Sequence, residues 1–170
     1  MIREATPKDL MDILEIYNEA ILHTTAVYTY KPQTLESRQN WYDQKKQEGN
    51  PILVYELDKK VVGFATFGPF RAWPAYKYSI EHSIYVDRSY RKKGIGTALL
   101  KELIAIATQR EFKTLIAGID AQNEKSIDMH KNFGFVYSGT IKKAGFKFNR
   151  WLDLAFYQLD LKGPKDPVEE

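Results

Sequence analysis

Apolar residues fall along this chain with two alternating periods. Leu10, Ile13, Leu14, Tyr17 and Ile21 recur every three or four positions, which buries one face of a helix. Thr6 can cap it, Pro7 suits its first turn, and Asp9 completes a capping-box pattern. A second helix is predicted over residues 34–48, anchored by Leu35, Trp41 and Tyr42 and stopped by Gly49. Residues 25–30, between the two, are too apolar for a routine connector. The runs 52–57 and 61–67 flank the turn Asp58-Lys59-Lys60 and predict an antiparallel hairpin. In the β-rich run 76–86, Ile80, His82, Ile84 and Val86 alternate with Ser79, Glu81, Ser83 and Tyr85. Helical spacing returns over 96–109, with Leu99, Leu100, Leu103, Ile104 and Ala107. A strand at 114–119, a helix at 124–133 stopped by Gly134, and a strand at 152–161 follow. Hairpins early and β-α-β units late predict an α/β (mixed α+β) fold. Its central mixed sheet is antiparallel in the first half, with helices on both faces.

Composition narrows the function. The 170 residues suit one domain over 1–161, and the proline-interrupted polar stretch 162–170 reads as a flexible tail. Lys and Arg total 25 against 22 Asp and Glu, a net +3 that points to neither nucleic acid nor membrane. No apolar run approaches ~20 residues. Met1-Ile2-Arg3-Glu4 lacks the charged-then-apolar pattern of a signal peptide. The absence of cysteine excludes disulfides, zinc ribbons and cysteine nucleophiles, and suits a cytoplasmic location. No His/Asp/Glu set has metal-ligand spacing, so no metal is expected.

One loop carries chemistry. After Val86 the chain runs Asp87-Arg88-Ser89-Tyr90-Arg91-Lys92-Lys93-Gly94-Ile95-Gly96-Thr97, then opens an apolar helix. Glycines admit close approach of a ligand to backbone, and free N–H groups at a helix start favour an anion. Arg91, Lys92 and Lys93 add charge suited to phosphate oxygens, so the ligand read from the loop is a pyrophosphate. Leu99 stands where a dinucleotide fingerprint needs its third glycine, and no P-loop pattern is present. A solvated basic turn is the bland alternative.

Arg91-Lys92-Lys93-Gly94-Ile95-Gly96 resembles the R-x-x-G-x-G/A element with which GNAT N-acetyltransferases hold the pyrophosphate of acetyl-CoA. Asn123-Glu124-Lys125-Ser126, through His130 to Gly134-Phe135, is similar to that superfamily's second signature, and the order and separation agree. Residues 70–76, 81–86 and 147–153 resemble the phosphinothricin/methionine sulfoximine acetyltransferase branch, although Asn149 stands where the branch commonly has glycine. The resemblance implies a GNAT-like fold, acetyl-CoA as co-substrate and acetyl transfer to the α-amine of a small amino-acid-like acceptor. It also implies a homodimer.

Roles for single residues follow from the same resemblance. Glu81 becomes the general base for the incoming amine; otherwise it is a half-exposed strand residue paired with a lysine. His130 stands where many members place a group that protonates the departing thiolate, the other reading being a structural histidine against the sheet. His82 points to the opposite face from Glu81 by alternation, which suits structure or support of the substrate pocket. Arg71 is the candidate for the acceptor's carboxylate and Trp73 for a pocket wall, against a surface arginine and a cover for the sheet. His23, Tyr28 and Tyr30 either roof the pocket or pack in the core. Asn123 and the loop 91–97 are expected at the cofactor, while N–H groups of Ile84, Tyr85 and Val86 stabilise the oxyanion and pair with the pantetheine arm. The alternatives are a polyamine, an aminoglycoside or a protein N-terminus as acceptor, or a non-catalytic acyl-CoA sensor. Glu81 argues against the sensor, and Arg71 against cationic acceptors.

Overall fold

A computed structural model describes residues 1–169 and holds seven strands and four α-helices among them. In chain order these are β1 (Ile2–Glu4), α1 (Leu10–His23), α2 (Leu35–Gln47), β2 (Ile52–Leu57), β3 (Lys60–Pro69) and β4 (Ser79–Val86). There follow α3 (Ile95–Gln109), β5 (Thr114–Asp120), α4 (Glu124–Asn132), β6 (Val136–Lys147) and β7 (Arg150–Asp160). The strands form one sheet in the order β1-β2-β3-β4-β5-β7-β6. β1, β2 and β3 pair antiparallel, β4 and β5 parallel, and β7 runs antiparallel to both β5 and β6. The mixed α/β architecture is the expected one.

Local chemistry accounts for most boundaries. The Asp9 carboxylate accepts from the N–H and hydroxyl of Thr6 at 2.7 and 3.1 Å, and Thr34 accepts from the Ser37 N–H at 3.1 Å. The β2–β3 turn is tighter than the sequence suggests. Asp58 and Lys59 both take left-handed φ (50° and 65°), while Lys60 already pairs with Leu57. Strand β6 escaped the sequence reading because bulges after Tyr137 and Ile141 and a left-handed Lys143 destroy its alternation. The β6–β7 turn places Phe148 and Asn149 at φ 52° and 60°, a left-handed conformation that glycine adopts most readily. Leu35, expected as an anchor of α2, is exposed, and Arg38 and Tyr42 are the residues this helix buries. Tyr28 and Tyr30 are also exposed, so only Val27 of that stretch joins the core.

The chain resolves into two compact units. The first comprises Met1–Phe67 with Ser83–Leu103, and the second Gly68–His82 with the chain from Ile104 onward. In the first, Leu10, Ile13, Ile16, Ile52, Val54 and Phe64 form the core. Fully burying each such side chain contributes about 1.5–3 kcal/mol. Phe64 meets Tyr17 and Trp41 on one face of β3, whereas Gly63 faces α3. A Cβ on Gly63 would lie 2.9 Å from Ile95 Cγ2, so glycine sets how closely the start of α3 approaches the strand. Arg3 bonds Asp9 and Glu56 together and holds the Asp9 carboxyl below its usual range. In the second unit Leu115, Ala117, Ile119, Leu152 and Ala155 are buried. Residues 162–169 have no helix or strand, yet Gly163 is buried and the Val168 N–H donates to the Tyr78 hydroxyl at 3.0 Å.

Candidate active site

In the first unit the basic loop turns on two devices. The Asp87 carboxylate accepts from the Ser89 N–H at 2.8 Å and starts a short 3-10 turn over Arg88–Tyr90. Lys92 and Gly94 then take φ of 65° and 77°, reversing the chain before α3. The first main-chain bond of the helix is Ala98 N–H to Gly94 O at 3.0 Å. The N–H groups of Ile95, Gly96 and Thr97 therefore have no helical acceptor. Nothing lies within 4 Å of a Cβ built on Gly94, so the approach to those donors is open. The loop fits a phosphate group. Arg91 is tied to Glu19 at 2.7 Å, and Lys93 rests 5.0 Å from the centre of the Tyr90 ring. Ile84, Tyr85 and Val86 are half-buried at the end of β4, with the Tyr85 ring packed on Tyr17 and Phe64.

In the second unit β4 begins beside β5, with Glu81 opposite Ile116. The Glu81 carboxylate lies over Gly118, whose absent side chain leaves a hollow bounded by Leu154 and Phe156. Much of the Glu81 side chain is open to solvent, but the protein matter around it still raises its carboxyl above the ordinary range; Arg71 opposes this. The Arg71 guanidinium rests 5.4 Å from the centre of Phe70, whose ring meets Tyr76 and Phe156 edge-on. Trp73 is 73% exposed, so most of its ring faces solvent.

His82 and His130 lie back from that surface, 8% and 4% exposed. Their Nε2 atoms are 2.8 Å apart, and His130 Nδ1 is 2.6 Å from the Ser126 carbonyl oxygen. A carbonyl only accepts, so His130 carries its proton on Nδ1 and His82 Nε2 donates to His130 Nε2. His82 Nδ1 is buried against the Ile116 backbone without a well-formed hydrogen bond. Burial first and His130 second push His82 down to about 3, and burial also lowers His130. Both rings are neutral near pH 7. Asn123 caps α4 by accepting from the Ser126 N–H at 3.2 Å, which gives the N-x-x-S spacing a structural meaning.

The structure thus brings Glu81 and Arg71 together, and His82 with His130. Among the described residues no His, Asp or Glu group is arranged to hold a metal, and no helix is long and apolar enough to cross a membrane. Sequence reasoning missed Gly118, the buried Arg38 and the half-buried Lys45. The available signal was Arg38 one helical turn before Trp41.

Comparison with known proteins agrees with this arrangement. The sequence profile of the Acetyltransferase (GNAT) family matches residues 10–135. An L-methionine sulfoximine/L-methionine sulfone acetyltransferase of Salmonella typhimurium is 40% identical over 160 residues, 94% of each chain. A phosphinothricin N-acetyltransferase of Streptomyces viridochromogenes is 33% identical over 98% of this chain and 90% of its own. Among solved structures, a Staphylococcus aureus N-acetyltransferase superposes with a TM-score of 0.95 at 57% identity, over 95% of this chain and 98% of that one. A Salmonella typhimurium acetyltransferase solved with acetyl-CoA gives 0.94 at 39% identity, over 99% and 97%.

Proposed function

Because the chain belongs to the GNAT acetyltransferase family, we propose that it acetylates the α-amine of a small amino acid of the methionine sulfone, methionine sulfoximine or phosphinothricin type. The acceptor class rests on the relatives' names, and on Arg71 beside Glu81. The carrying observation is Glu81 itself: a carboxyl raised by its surroundings, reachable from solvent, with a cation at hand for a substrate carboxylate.

Acetyl-CoA supplies an activated acyl group as a thioester. The N–H groups of Ile95, Gly96 and Thr97 would hold its pyrophosphate, with Lys92 and Lys93 adding charge and Arg91 steadied by Glu19. Backbone N–H groups of Ile84–Val86 would take the pantetheine arm and polarise the carbonyl oxygen. Asn123 uses only its side-chain oxygen as a cap, which leaves its amide nitrogen for the cofactor. Glu81 takes the proton from the attacking amine, directly or through one water. The α-amine of a free amino acid is largely protonated near pH 7, so the base removes the proton that occupies the attacking lone pair. His130 could donate a proton only by giving up its bond to Ser126. We therefore assign it, with His82, to positioning.

Exposed apolar side chains on β6 and β7, among them Val136, Tyr137, Ile141 and Trp151, support a homodimer. The absence of cysteine suits a cytoplasmic enzyme. Following acetyl-CoA consumption across an acceptor panel tests the function. Turnover is expected with L-methionine sulfone, L-methionine sulfoximine or phosphinothricin. Turnover confined to polyamines, aminoglycosides or peptide N-termini would replace the reading.

A further inference from the structure

Within the first unit, a cavity of about 170 Å³ is bounded by residues of α1, α2, β3 and β4, with Tyr17, Trp41 and Tyr85 among its walls. That is the share of roughly five or six waters. Arg38 and Lys45 reach it from α2, and Ser83 from β4. Arg38 is 6% exposed. Its guanidinium carbon lies 4.2 Å from the centre of the Tyr17 ring and 4.4 Å from that of Trp41. Aromatic rings thus grip the guanidinium, while its hydrogen-bonding edge is left for another partner. No carboxylate forms an ion pair with Arg38 among the described residues, and its buried Nε has no hydrogen-bond partner. Lys45 spends one donor on the Phe67 carbonyl at 3.0 Å. Burial lowers the pKa of both side chains, with only the Tyr17 and Tyr85 phenols opposing it at Arg38.

A buried cation without a counter-ion is costly, and aromatic contacts offset only part of that cost. The remaining edge of a guanidinium suits two oxygens of one planar or tetrahedral acid group. We propose that this cavity is a binding site for the carboxylate or phosphinate group of a small molecule, received on the edge of Arg38. The group could belong to the acetyl acceptor, which carries an acid at each end in phosphinothricin, or to a separate small acid. Only that choice of source rests on the function proposed above; the site itself does not.

Titration calorimetry in saturating CoA, with phosphinothricin and with glutarate as probes, tests the proposal. The wild type is expected to bind at least one probe, and Arg38→Met to weaken it tenfold or more with CoA affinity unchanged. The unliganded Arg38→Met variant should melt no lower than wild type, because the unpaired charge has gone. Arg38→Lys, which keeps charge but loses the fork, should weaken the same probe and serves if the methionine variant does not fold. An Arg38→Met effect on the KM of phosphinothricin, with glutarate not bound, assigns the group to the acceptor. Glutarate binding that does not compete with phosphinothricin assigns it to a separate acid. If neither probe binds wild type, or if folded Arg38 variants bind both as wild type does, the site is overturned. Probe binding without any acetyl transfer would overturn the proposed function and leave the site standing.

Discussion

The loop at 91–97 and the region around Glu81 handle charge by opposite means. The loop presents main-chain N–H groups that have no helical acceptor, after a left-handed Gly94 and at the start of α3, with cations around them. Glu81, His82 and His130 depend instead on what packs around each of them. At two adjacent residues of one strand, burial favours the neutral form: it raises the Glu81 carboxyl and lowers the His82 imidazole. A backbone site is set by local conformation, whereas a side-chain site is set by tertiary environment. Substitutions should therefore fail differently in the two regions.

The largest effect is expected in the loop. Gly96→Val places a branched side chain among the helix-start donors, and CoA binding by calorimetry should be lost while the thermal midpoint holds. Unchanged affinity in the folded variant would mean that these N–H groups do not bind the cofactor. Next comes Glu81→Gln, which keeps size but cannot accept a proton. Its kcat/KM should fall by roughly 10²–10⁴ near neutral pH with CoA binding preserved. The deficit should shrink as pH passes the acceptor amine's pKa; a deficit constant with pH would make Glu81 a shaping residue only. Arg71→Ala should raise the KM for amino acids about ten- to a hundredfold, a loss of roughly 1.5–3 kcal/mol, and spare uncharged amines. Equal losses on both would remove Arg71 from the acceptor site.

The smallest effect is on stability. Folded His82 has a pKa near 3, below the unfolded value of about 6.5, so between the two the unfolded chain binds the extra proton. Stability is complete above pH 6.5 and declines as pH falls, by about 2 kcal/mol at pH 5. Urea midpoints at pH 7 and 5 measure it. His82→Phe should flatten the difference, and an unchanged slope would show that other groups set it.

The same contrast explains what could be read beforehand. The glycines and cations of residues 91–97 are adjacent in the chain, so the sequence exposes that site directly. The β2–β3 hairpin and the helices α1, α3 and α4 were legible for the same reason. His82 and His130 stand 48 residues apart, and no spacing rule announces that their rings meet. Arg38 looked like one more polar residue on a polar helix until Tyr17 and Trp41 enclosed it. β6 was hidden because its bulges erase the period that reveals strands. Local conformational demands leave a mark in the sequence, and long-range enclosure leaves almost none.

Gly118 offers an adjustable acid strength. A methyl group there would sit 3.4 Å from Leu154, 3.6 Å from Phe156 and 4.0 Å from a Glu81 oxygen, all ordinary contact distances. Gly118→Ala is thus sterically admitted, and such an exchange commonly stiffens a chain by roughly 0.4–1 kcal/mol. The added methyl also displaces water from one side of the Glu81 carboxyl, which holds its proton to higher pH. With Glu81 as the base, the acidic limb of the rate profile would move in the alkaline direction while the acceptor's contacts with Arg71 stay the same. One carbon atom would retune the enzyme's working pH without replacing a reacting group.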